Sequence, residues 1–119
     1  DMLTANPSIN LVWAANEGGT IGAVMAVKGA GKAGKVAVFG TDSCQQLLDF
    51  LQAPDNILQA ITSQKPVEVG RMAVEAALKV KNGEKVEKTT SMKGVLLDRA
   101  KPETVKEFAA QFKQWTQGG

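Results

Sequence analysis

Three apolar runs in the first two-thirds of the chain each end in a polar side chain just before a helix-like pattern begins. They are Leu11-Val12-Trp13-Ala14-Ala15 ending at Asn16, residues 35–40 ending at Thr41-Asp42, and residues 57–62 ending at Gln64. Parallel strands buried on both faces read as such continuous apolar runs. In open α/β sheets, ligands sit in the crevice beyond the carboxyl ends of these strands. An amide, a carboxylate and a second amide delivered to that edge make a set of hydrogen-bonding groups suited to a small polar ligand.

The rest of the chain alternates in the same way. Asn6-Pro7-Ser8 signals a turn, and the first strand is expected over roughly 10–15. Ile21, Val24, Met25 and Lys28 then recur at helical spacing over 17–30, ending in Gly29 and Gly31. A second strand is expected over 35–40, followed by a short helix with Leu47, Leu48 and Leu51 on one side and a capping box from Ser43 to Gln46. After the turn at Pro54-Asp55-Asn56 comes a third strand near 57–63. Pro66 suits the first position of a helix, whose buried stripe reads as Val69, Met72, Ala73, Ala76 and Val80 and whose stop is Asn82-Gly83. A lysine-rich connection over 83–93 leads to a last strand at 94–98, and Val105, Phe108, Phe112 and Trp115 line one face of a terminal helix. Strand and helix in alternation favour an α/β architecture of βαβ units.

Composition narrows the chemistry. At 119 residues the chain is one domain's worth, and 44% hydrophobic with 22% charged residues is enough to build a core. Fourteen basic and 12 acidic residues, with no basic block, give nothing that would hold nucleic acid. There is no histidine, which excludes a Ser-His-Asp triad, a histidine base and a histidine-ligated metal within this chain. Cys44 is the single cysteine and reads as a small buried hydrophobe without a second thiol for a disulfide or a zinc site. No cofactor or metal is called for. Asp1 does not read as a native start, and the opening residues resemble the end of a helix, so a mature or cleaved fragment is expected.

Two glycine-rich stretches compete with the strand ends for attention. Gly29-Ala30-Gly31-Lys32-Ala33-Gly34-Lys35 fits the G-x-x-x-x-G-K part of a phosphate-binding loop, but Val36 stands where Ser or Thr would bind magnesium. The loop also leaves a helix and enters a strand, the reverse of the order that cradle needs, so a glycine-rich helix stop accounts for it better. Gly18-Gly19 with Gly22 is not the dinucleotide fingerprint, and close helix–sheet packing at Gly22 explains it. Asn16 and Asp42 each admit two readings, helix cap or ligand contact, and one residue can serve both. Gln64 is a poor cap before Lys65-Pro66, and Trp13 reads as half core and half crevice wall.

These segments resemble the type I periplasmic sugar-binding proteins. Residues 11–17 with Gly22 match that family's strand, Asn and small-residue helix; residues 36–42 match its apolar strand ending in G-x-D; and residues 60–66 with Gly70 and 73–77 match its strand, Gln-x-Pro and following helix. The match runs in order over about residues 1–100. The resemblance implies an open, mainly parallel sheet flanked by helices, a fragment of a two-lobed protein. Residues 1–65 would be part of the C-terminal ligand-binding lobe, and residues 66–119 a crossover helix, last strand and terminal helix packing partly on an absent N-terminal lobe. It further implies that Asn16, Asp42 and Gln64 reach sugar hydroxyls; because Thr41 stands where pentose-binding members often carry a ring, stacking would fall to Trp13 or to the missing lobe.

By the same resemblance the chain is a non-enzymatic receptor of an ABC-type importer. It would be exported to the periplasm, take a monosaccharide or similar polyol, and hand it to a membrane permease. A companion N-terminal fragment or a swapped neighbour is expected to cover the exposed sheet. Two other readings stay open. One is the effector-binding core of a sugar-responsive transcription repressor, and the other is a flavodoxin-like nucleotide- or flavin-binding domain, which would need an anion cradle at a strand-to-helix turn.

Overall fold

A computed structural model describes residues 2–117; Asp1, at the expected fragment start, lies outside the described residues. The elements run α1 (Met2–Ala5), β1 (Leu11–Trp13), α2 (Glu17–Gly29), β2 (Ala37–Thr41), α3 (Gln45–Gln52), β3 (Leu58–Ser63), α4 (Pro66–Lys81), β4 (Val95–Asp98) and α5 (Pro102–Gln117). The sheet order is β1-β2-β3-β4, with β1 parallel to β2 and β2 parallel to β3. Every expected strand and helix is present, each strand shorter by a residue or more than the span expected for it.

The chain divides into two compact units, one built from the segments up to Ser63 and from Leu96 onward, the other from Gln64–Val95. In the first unit the core lies on one side of the sheet. Val24 and Val27 of α2, Leu47, Leu48 and Leu51 of α3, and Val105 and Phe108 of α5 are buried together with Val38, Leu58, Ile61 and Leu97 of the strands. The stripe of α2 is Thr20, Val24 and Val27, with Met25 52% exposed, so the expected stripe is rotated by part of a turn. The cause is Thr20, a polar residue that the strand below accepts into the core.

A register shift between Val38 and Phe39 pairs Val38 with Leu58 but Phe39 with Ala60, so β3 carries one extra residue, Gln59. The bulge resets the alternation, which is why Leu58 and Ile61, three apart, are both buried. Arg99 secures the β3 side. Its guanidinium donates to the carbonyls of Leu58 (2.7 Å), Ala53 (2.6 Å) and Phe50, tying β3 to the end of α3. Burial pulls the Arg99 pKa down, with Asp55 partly opposing.

The other side of the sheet is uncovered. Leu11, Trp13 and Leu96 are 56%, 63% and 60% exposed, and with Phe39, Ala60 and Thr62 they line an open depression of about 370 Å³. Parallel sheets ordinarily carry helices on both faces. This face presents its apolar side chains to solvent.

The second unit is one helix and an irregular tail. No residue of α4 is buried, contrary to the expected stripe: Met72 and Ala76 are half-buried, while Val69 and Val80 are 50% and 57% exposed. A lone helix has no second layer of its own against which to bury a stripe.

The glycine-rich loop is a helix stop. Gly31 N–H donates to Lys28 O and Lys32 N–H to Val27 O, and Gly31 and Gly34 take the left-handed φ values of 63° and 74° that glycine adopts without a Cβ clash. Lys32 Nζ donates to Leu3 O (3.0 Å) and Pro7 O (3.4 Å), so a lysine inside this loop holds the N-terminal segment to it.

One-sided burial makes a contrast in stability. Leu47→Ala, at a site with no exposure, should cost about 2–5 kcal/mol by urea unfolding. Leu96→Thr on the uncovered face should stay within about 0.5 kcal/mol.

Candidate ligand-contacting edge

The carboxyl ends of β1 and β2 meet the N-terminus of α2. The first N–H groups of a helix have no intrahelical acceptor and carry the positive end of its dipole. Two of the expected site residues satisfy them. Asn16 is the N-cap of α2, in extended backbone, and its Oδ1 accepts from Gly19 N–H at 2.8 Å. Asp42 lies 26 residues later in the chain, yet its Oδ2 accepts from Glu17 N–H at 3.1 Å. Asn16 and Asp42 are thereby brought to one helix end.

Asn16 is a cap, as one of its two readings had it. The cap uses the carbonyl oxygen only, and among the described residues Nδ2 has no hydrogen-bond acceptor; the residue is exposed. The amide thus retains two N–H donors for a ligand.

Asp42 does not cap α3. Its backbone N–H closes the β2–β3 ladder by donating to Thr62 O (2.8 Å), and its φ of 72° then turns the chain out of the sheet. Aspartate is among the few residues other than glycine that enter this left-handed region readily, though still at a cost. Non-glycine positions of this kind cluster at functional sites. The half-buried carboxylate is held against α2.

The capping box expected from Ser43 to Gln46 does not form. Cys44 is the N-cap of α3 and offers no side-chain cap bond, while Ser43 Oγ hydrogen-bonds Ser63 Oγ at 2.7 Å. Ser63 is buried, so this contact pins the ends of β2 and β3 together. Cys44 is half-buried, not a core residue. Burial raises its thiol pKa most, and Glu17 adds to the rise against lowering by the Leu47 and Gln46 N–H groups.

Trp13 is the last residue of β1, opposite Phe39, with its indole on the uncovered face of the sheet. Gln64 follows β3 directly, is exposed, and opens the second unit of the chain. Among the described residues no three or more of His, Cys, Asp and Glu gather as metal ligands, and no helix is long and apolar enough to cross a membrane.

Residues 1–85 match the sequence family described as the periplasmic binding protein domain. The ribose import binding protein of Bacillus subtilis (strain 168) is 34% identical over 91 residues, 76% of this chain and 28% of that protein. Among solved structures, a periplasmic solute-binding protein of an ABC transporter from Actinobacillus succinogenes with bound D-allose superposes with a TM-score of 0.79 at 35% identity, covering 87% of this chain and 35% of the other. An ABC transporter solute-binding protein from Agrobacterium vitis with bound D-fucose gives a TM-score of 0.77 at 37% identity, over 87% of this chain and 36% of its own. The chain thus spans about a third or less of the length of these proteins.

Two outcomes test this edge in the absence of any ligand. Asn16→Ala should lower stability by about 1 kcal/mol through loss of the cap, and Asn16→Asp, which still caps, should recover most of it. Cys44 should react slowly with iodoacetamide at neutral pH, because its raised pKa leaves little thiolate; Glu17→Gln, removing one of the raising influences, should speed the reaction.

Proposed function

This chain belongs to the periplasmic binding protein family, and on that premise we propose that it is the C-terminal portion of a solute receptor serving an ABC-type importer. Its ligand is a monosaccharide or similar small polyol. Asn16 donates to a ligand hydroxyl through Nδ2, and Asp42 accepts from one through its carboxylate. Gln64 and Trp13 complete the contacts made from this part of the protein. The observation that carries the reading is the meeting of Asn16 and Asp42 at the start of α2, the one accepting from Gly19 N–H and the other from Glu17 N–H.

The donor types suit a sugar. Hydrogen bonds to a charged acceptor are about twice as strong as neutral ones, so a half-buried carboxylate selects for hydroxyl donors. Because its polar groups are left unpaired by an analogue that lacks the hydroxyl, such a site discriminates sharply. The named ligands of the relatives, ribose, D-allose and D-fucose, are polyhydroxylated rings or their open forms.

The function is capture and release, with no reaction catalysed. Closure of two lobes on the ligand by a hinge motion is the mechanism, and delivery to a membrane permease from the periplasm is the outcome. The uncovered sheet face, with Leu11, Trp13 and Leu96, is where a companion polypeptide or a swapped neighbour packs. The repressor-core and flavin readings have no observation of their own here, and in the Gly29–Gly34 loop the Gly31 and Lys32 N–H groups are spent on the carbonyls of Lys28 and Val27.

Native mass spectrometry of the purified protein with D-ribose, D-allose and D-fucose tests the reading. A companion polypeptide and a bound sugar mass are expected, with the sugar lost in Asp42→Ala. A lone chain that retains no sugar from the panel would contradict it.

A further inference from the structure

Thr20 is the one polar residue among the three buried residues of α2, and neither Asn16 nor Asp42 explains why it is there. Its hydroxyl donates to Asn16 O at 2.7 Å. The same oxygen lies 3.4 Å from Thr41 N and accepts from it. Thr20 therefore touches Asn16 on one side and the residue preceding Asp42 on the other.

The place of this contact in the sheet is informative. The N–H groups of Val38 and Asp42 point toward β3, donating to Ile57 O and Thr62 O, while Ala37 N–H donates to Asn10 O on the β1 side. By alternation Thr41 N–H also faces the β1 side, where β1 has already ended at Trp13. The threonine hydroxyl takes the position of the missing strand acceptor. A backbone N–H that would otherwise be orphaned at the sheet edge is satisfied from the helix.

Gly40 makes the approach possible. A Cβ built there would lie 2.2 Å from Thr20 Cγ2 and 2.3 Å from its Oγ1. Only a bare backbone lets the Thr20 side chain sit directly on β2. With the helix at this height, Glu17 N–H meets Asp42 Oδ2 at 3.1 Å.

We infer that Thr20, seated on Gly40, is a positioning residue whose hydroxyl sets the spacing between Asn16 and Asp42. It touches no ligand and acts through both residues that do. This rests on the sugar-receptor reading only for its effect on affinity; the geometric part stands on the contacts themselves.

The test compares Thr20→Val, which keeps the volume and loses the hydroxyl, with Thr20→Ser, which keeps the hydroxyl and loses the methyl. Amide hydrogen exchange is followed at Glu17, with Leu51 in α3 as the reference for general loosening. Sugar affinity is followed by titration with D-ribose, D-allose and D-fucose. In Thr20→Val, exchange at Glu17 should speed about tenfold relative to Leu51, and affinity for whichever sugar binds should fall about fivefold, the loss of one hydrogen bond's worth of alignment. Thr20→Ser should leave both near the wild-type values. Equal loss in the two variants, or acceleration at Leu51 matching that at Glu17, would overturn the inference in favour of simple packing. If the unsubstituted protein binds none of the sugars while Glu17 responds as expected, the receptor reading fails and the positioning role stands.

Discussion

The polar edge of this molecule depends on how closely α2 lies on β2. Apolar burial of Val24 and Val27 against the sheet supplies the attraction, but it is non-directional and would accept a range of heights and rotations. Thr20 on Gly40 removes that freedom, because a hydroxyl with two backbone partners fits at one depth only. Once the helix is set, its first N–H groups face the ends of β1 and β2, and the side chains that arrive there, Asn16 and Asp42, satisfy them. The same contacts fix two side chains that would otherwise be mobile on a surface, so the energy that stabilises the helix start also preorganises the edge.

Burial in the first unit is one-sided. The helices α2, α3 and α5 cover one face of the sheet, and the opposite face shows solvent a leucine, a tryptophan and a second leucine. Leu11, Trp13 and Leu96 do not stand singly but line one open depression with Phe39, Ala60 and Thr62. In α4 the same economy is visible on a helix, with apolar positions that find no layer within their own unit. Both features agree with a chain that spans about a third or less of its relatives' length.

Much of this was legible in the sequence because periodicity reports burial. The continuous apolar runs announced β1, β2 and β3, and the ends at Asn16 and Asp42 were visible as polar residues following them. The stripe of α2 was misplaced because Thr20 is polar, and hydrophobic patterning has no means of seeing a buried hydroxyl that is paid for by two backbone partners. In α4 the pattern was present but its partner layer was not, so a true amphipathic sequence gave an exposed helix. The capping box failed for a related reason: Ser43 found Ser63, 20 residues away, and sequence spacing knows only local partners. Arg99 was passed over because a clamp on three carbonyls leaves no mark on spacing at all.

The proposed ligand site requires that Asn16 and Asp42 together receive a sugar hydroxyl pair at the start of α2. Nuclear magnetic resonance of protein labelled at the asparagine side chains and the aspartate carboxyls, titrated with D-ribose, D-allose and D-fucose, tests it most directly. With at least one sugar the Asn16 Nδ2 protons and the Asp42 carboxyl carbon should shift together along one binding curve, while the Asn56 side chain, in the turn before β3, stays still. Sugar-dependent shifts that spare both Asn16 and Asp42 would contradict it.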